Sequence, residues 1–342
     1  MRCHENRHQD NRKKKRVGDG IMTTELMPLG GGRSLALPEI FAKDEKTAER
    51  VLEFFTAQIR NPNTRRAYGH AVGGFADWCA GQGVSDLDQV RTLHVAAYVE
   101  GLQDQFAPPS VKLHLAAIRM LFDWLVVGQV IANNPAASVK GPKHSAKKGK
   151  TPVLMAEEAS GLLLSIDISD NIGLRDRALI ALMVYTFARV GAVLKMRVED
   201  VYTQGRRTWV RLHEKGGKRH EMPCHHKLEE YLHAYMDDTG IQAEPKGYLF
   251  RSAKGWAGEL SEKPLRQADV YQMIARRSRQ AGIKTKIGCH SFRATGITEY
   301  LRAGGKLEIA QQMANHESAR TTGLYDRRND EVSLDEVERI LI

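Results

Sequence analysis

"HSFRATGITEYLRAGGKLEIAQQMANHESARTTGLYDRR", residues 290–328, opens with a histidine and an arginine three apart and closes on a tyrosine among arginines. Residues i and i+3 of a helix lie side by side, so His290 and Arg293 can present donors to one oxyanion. An isolated H-x-x-R can equally be a surface histidine and an arginine that meet nothing. The choice between the two depends on what the rest of the chain supplies.

The chain has 342 residues, long for a single core, which predicts two domains plus tails. It carries 51 Lys+Arg against 41 Asp+Glu, a formal charge of +10, so a polyanion is a natural partner. No apolar run approaches the ~18 residues of a membrane span, and the N-terminus lacks the apolar core of a signal peptide. Cys3, Cys79, Cys224 and Cys289 lie far apart with no CxxC pair, which fits a reducing cytoplasm rather than a disulfide frame.

Residues 1–44 read as a flexible, basic N-terminal arm with a run of charge from Arg12 to Arg16. A solvated tail, or an upstream extension before a start at Met22, explains the arm equally well. From 45 to 137 the period is helical. Tyr68, Val72, Phe75 and Cys79 share one face and stop at Gly81 and Gly83; Val111, Leu115, Ile118, Phe122 and Leu125 share another, between Pro108-Pro109 and Gly128. A third helix fits around "HVAAYVEGLQDQ". Arg65, Arg66, Lys112 and Arg119 are expected on a basic outer face of this helical domain.

Residues 138–150 break the period as a linker, with five lysines (Lys140, Lys143, Lys147, Lys148 and Lys150) and no acid. Lys140, Lys147 and Lys148 are candidates to lie along phosphates. "GKT" at 149–151 is not a P-loop, because the first glycine of that motif would fall on His144. Helices resume within 151–342. "RRTWVRLHEKGGKRHEMP" reads as two alternating strands joined at Gly216-Gly217, and helical patterns then run from about Lys227 onward. The fold class is mainly α with a small β-hairpin.

His220, Cys224, His225 and His226 resemble a zinc set, but adjacent histidines rarely serve one tetrahedral site. No metal and no cofactor are expected. Arg189 is expected at the end of an otherwise apolar helix, where an arginine is costly without an anion. Lys215 flanks the hairpin turn, and His316 and Tyr325 follow the His290–Arg293 pair.

In this order Arg189, Lys215, His290-x-x-Arg293, His316 and Tyr325 resemble the catalytic set of the tyrosine recombinases, the phage integrase family. One box is "TFARVGAVLKMRVEDV" and the other the opening stretch, with 32 residues from Arg293 to Tyr325. The resemblance covers roughly 45–330, including Thr64 and Tyr68 at the head of the helical domain. It implies a two-domain C-shaped clamp: a helical, SAM-like core-binding domain and a mixed α/β catalytic domain. It also implies double-stranded DNA with inverted repeats as substrate, and a homotetramer in the synapse.

The resemblance makes Tyr325 the nucleophile and Lys215 the general acid, with Arg189, Arg293, His290 and His316 around the phosphate. Two guanidinium forks can bind the non-bridging oxygens and tighten as charge grows. A tyrosine of pKa ~10 becomes a nucleophile only where cations favour the phenolate. The phosphotyrosine ester would conserve the broken bond's energy, so neither ATP nor metal is required. Two departures stand out: Ala192 occupies a place usually acidic, and "ANH" (Ala314–His316) replaces the usual "LGH".

A type IB topoisomerase or a catalytically silent DNA-binding regulator are the alternatives. Residues 333–342 favour the recombinase. Ser333 with Glu336 reads as a capping box and Val332 with Val337 as a staple, while Val337, Ile340 and Leu341 form a stripe for docking in trans.

Overall fold

In the computed structural model, which describes residues 37–144, 149–214, 219–255, 258–326 and 339–340, helices carry most of the chain. The chain divides between residues 145 and 146 into two units. Most of the basic arm, Lys147 and Lys148, Lys215 with the Gly216-Gly217 turn, and nearly all of 333–342 lie outside the described residues.

In the first unit, Asp44 starts α1 (Glu45–Glu53) by accepting from the Thr47 amide and hydroxyl, and the helix runs on into a wider turn over Phe54–Gln58. Helix α2 (Pro62–Gly81) begins with proline at a position whose N–H would be unpaired anyway, capped by Asn61. It ends where Gly83 takes φ 74°, open to glycine without strain. Helices α3 (Thr92–Gln103) and α4 (Pro108–Val127) follow. The predicted periods become the core: Phe41, Phe54, Phe75, Ile118 and Phe122 are fully enclosed. Val139 also joins this core, so the start of the presumed linker packs with the helices.

The second unit is built on α6 (Asn171–Tyr185), where Leu174 and every residue from Ala178 to Met183 are buried. A helix apolar all round belongs inside. Around it stand α5 (Ala156–Leu164), α8 (His226–Thr239), α9 (Gln267–Gln280) and α10 (Cys289–Arg302). The expected hairpin is present as β2 (Arg207–His213) antiparallel to β3 (Arg219–Pro223), with Val210 and Leu212 inward. A further strand, β1 (Val201–Gln204), pairs on its other edge. The helical run expected after Lys227 is interrupted by a second hairpin, β4 (Arg251–Lys254) and β5 (Glu259–Pro264). These strands are short and largely exposed, so no alternation marks them in the sequence.

Asp176 of α6, wholly buried, accepts from its neighbour Arg175 and, across the unit, from Arg276 and Arg277 of α9. One carboxylate thus ties two helices together. A smaller cluster of Phe187, Ala294, Ile297, Leu301, Ala310, Ala314 and Tyr325 joins α10 to α11 (Leu307–Met313) and to Tyr325 just after α12 (Ala319–Gly323).

Candidate active site

Helix α6 stops at Tyr185, short of Arg189. Arg189 instead immediately precedes the short helix α7 (Val190–Val193), because Phe187 turns into the left-handed region at φ 53°. Such a conformation is strained for a bulky residue and clusters where function holds it. It directs the Phe187 carbonyl to the Arg293 guanidinium. The other arm of Arg293 donates to the Ala314 carbonyl, next to Asn315, which is again left-handed at φ 46°. Asparagine tolerates that region where a β-branched residue does not. The Asn of "ANH" therefore does what the glycine of "LGH" would do.

Arg293 is only 1% exposed, and with both terminal nitrogens on carbonyls its buried Nε has no partner. An unpaired buried donor costs about 1–3 kcal/mol, which an incoming oxyanion would recover. Burial and the nearby Arg189 charge lower its pKa to about 10.

Tyr325 follows α12 and is itself 7% exposed. Its hydroxyl shares a 3.3 Å hydrogen bond with His290 Nε2, and its carbonyl accepts from Thr298. Its ring lies parallel to that of His316, centroids 5.9 Å apart. His316 is oriented by a 2.9 Å bond between Nδ1 and Thr322. Burial, with Arg293 and Arg189 adding to it, lowers the His316 pKa to about 4. His290 is lowered by the same causes, burial first. Both shifts favour the neutral imidazole at pH 7, and His290, the one in hydrogen-bond contact with the Tyr325 hydroxyl, is the one able to exchange a proton with it. One residue before Tyr325, the Leu324 carbonyl accepts from the Gly149 amide, stitching the segment that carries Tyr325 to the start of this unit.

Arg189 donates to Glu214 at 2.8 Å, with its own side chain 40% exposed and that of Glu214 3%. His220, on β3, leaves Nε2 buried and unpaired; burial lowers its pKa and the Glu214 charge opposes that. Nothing in the sequence marks Glu214, and His220 stands out there only within the candidate zinc set rather than as a neighbour of this site. Of the six expected residues, five are described and all five cluster here; Lys215 follows Glu214 directly but lies outside the described residues.

His225 stacks on Tyr185 and meets the His226 ring at a tilt. Among the described residues no group of histidines, cysteines and acids is placed to hold a metal ion. Arg65 donates to the Ile59 carbonyl and Arg119 to those of Ala136 and Val139, whereas Arg66, Lys112 and Lys140 are exposed. A basic cleft that the sequence did not announce, about 810 Å³, is lined by Lys263, Arg266, Arg276 and Arg279.

Residues 153–331 match the phage integrase family, and residues 53–128 match the phage integrase N-terminal SAM-like domain. The chain belongs to the phage integrase family. This family member is a tyrosine-type site-specific DNA recombinase. It is similar to tyrosine recombinase XerD of Corynebacterium glutamicum, 26% identical over 274 residues, 77% of this chain and 86% of that protein. In fold it is similar to the XerH site-specific recombinase bound to palindromic difH substrate, at TM-score 0.67 and 20% identity, covering 89% of this chain and 91% of that one. It is likewise similar to a lambda integrase tetramer bound to a Holliday junction, at TM-score 0.61 and 18% identity, covering 79% and 76%. Among the described residues no helix is long and apolar enough to cross a membrane.

Proposed function

We propose that Tyr325 is the nucleophile of a strand exchange carried out in the cytoplasm on nucleoid DNA, at a site built of inverted repeats. The reading is supported above all by the Tyr325 hydroxyl lying within hydrogen-bond reach of His290, beside the buried Arg293 with its unpaired Nε. Tyr325 oxygen attacks phosphorus and passes its proton to a neutral imidazole, for which His290 is placed. The bond from phosphorus to the 5′ oxygen breaks, and Lys215 supplies the proton to that leaving oxygen. Arg189 and Arg293 bind the non-bridging oxygens while charge builds on them. Attack by a 5′ hydroxyl from a partner strand reverses the step, so no energy source is consumed. The reaction serves integration, excision or resolution.

Arg66, Lys112 and Lys140, with Lys147 and Lys148, are proposed to contact the phosphate backbone, as is the cleft around Arg276. The exposed Ile340 fits a tail, residues 333–342, that docks on a neighbouring protomer of a tetramer. Tyr325→Phe removes one oxygen and little volume, so DNA affinity should be preserved. What should disappear is the covalent adduct on a nicked suicide duplex, in buffer with EDTA. The duplex would carry a site selected from random DNA by the wild-type chain. An adduct surviving in Tyr325→Phe, or one that needs added divalent metal, rules this mechanism out.

A further inference from the structure

Arg189 is the one described cation of the site with a charged partner, and that partner is remote in sequence. Within its own helix no carboxylate is at hand. Arg189 precedes α7, and the third residue of that helix, where an acid could reach back toward the helix start, is Ala192. Glu214, 25 residues on at the end of β2, supplies the carboxylate instead. Burying a carboxylate to 3% exposure is costly without a partner, and the 2.8 Å bond to Arg189 supplies one.

The bond occupies one Nη1 hydrogen of a planar group that has five. Arg189 remains 40% exposed, so its other donors stay open. An arginine that exposed ordinarily samples many rotamers. Tied at one corner, it meets a phosphate already oriented. The charges also matter: among the described residues, two guanidiniums less one carboxylate leave a net +1, to which the proton-bearing Lys215 of the proposed mechanism adds, facing a phosphodiester monoanion. Without Glu214 the excess charge would bind the ground state more tightly while leaving Arg189 free to swing. Tighter binding shared by ground and transition state would not lower the barrier between them, while the lost orientation of Arg189 would raise it.

We propose that Glu214 is a positioning residue for strand cleavage, holding Arg189 in the phosphate-binding orientation in place of an acid at position 192. The proposal rests on the recombinase reading above. Glu214→Gln should slow single-turnover formation of the phosphotyrosine adduct on the selected suicide duplex by on the order of 10²-fold. Its Kd for that duplex should stay equal or tighten, and its Tm should hold. Glu214→Asp should recover part of the rate. The double variant Glu214→Gln/Arg189→Ala should be no slower than Arg189→Ala alone, since the two act as one unit.

A methylphosphonate at the scissile position carries no charge for Arg189 to neutralise. On it the Glu214→Gln defect should shrink together with that of Arg189→Ala, which a general loss of structure would not produce. Additive defects in the double variant, or an undiminished defect on methylphosphonate, overturn the proposal. If Glu214→Gln is poorly folded, the partial rescue and the methylphosphonate response of Glu214→Asp decide in the same way. A wild-type chain that forms no adduct overturns the function itself, and this proposal with it. Wild type and Glu214→Gln cleaving equally well overturns only the role of Glu214.

Discussion

Asn315 and His316 show how far the geometry of the proposed site rests on single backbone and protonation states. Asn315 at φ 46° aims the preceding carbonyl at Arg293. Asn315→Gly should therefore keep cleavage activity, while Asn315→Val, strained in that region, should lose about 1–3 kcal/mol of stability and most of the rate. Urea unfolding with the suicide-substrate assay reads both. His316, with a pKa of about 4 when folded against an ordinary 6.5, binds fewer protons folded than unfolded between those values. Stability should consequently fall as pH drops from about 6.5 toward 4, by at most about 3 kcal/mol from this group. His220 and His290, also lowered, add in the same direction. Unfolding free energies across this range should lose one proton's worth of slope in His316→Asn; an unchanged slope would contradict the assignment.

The elements explain why some of this was legible in advance. Helices α2 and α4 announced themselves because their apolar residues repeat with the helical period and end at glycine. The β2–β3 hairpin did so through alternation around Gly216-Gly217. Strand β1 is four residues long and β4–β5 mostly solvated, so neither leaves a hydrophobic pattern to read. The clustering of Arg189, His290, Arg293, His316 and Tyr325 was legible because the order and spacing of the motif are fixed, whereas the Arg189–Glu214 pair spans 25 residues and two element types with no period linking them. The contact of α10 with the end of α6 was equally silent. There Gly296 lies so near the Val184 carbonyl and the Phe187 ring that any Cβ would overlap them. Gly296→Ala should cost about 1–3 kcal/mol in urea unfolding. It should also slow cleavage, because Phe187 is the residue whose carbonyl holds Arg293.

At the scale of the whole molecule, the +10 charge makes DNA affinity a function of salt. Neutralising six to ten phosphates predicts a loss of about 10³–10⁵ in affinity between 50 and 200 mM salt. Exposed Arg66 and Lys140 should each contribute about one unit to that slope when changed to Ala, measured by fluorescence anisotropy. Arg65→Ala should leave the slope unchanged, since its guanidinium is committed to the Ile59 carbonyl. Equal slopes for Arg65→Ala and Arg66→Ala would show that this difference in exposure is irrelevant to binding.

The enclosure of Tyr325, 7% exposed between His316 and His290, also bears on genome integrity. A phosphotyrosine ester can be resolved by a DNA 5′ hydroxyl or by water, and only the first restores a continuous strand. Water is the more abundant competitor by far, so a site that keeps its tyrosine from solvent keeps hydrolysis from winning that competition. Each cycle that escapes this shelter leaves a break to be repaired. With Tyr325 as the proposed nucleophile, the packing that looks like ordinary core around one aromatic ring is therefore what would let a strand be cut and rejoined without leaving a lesion.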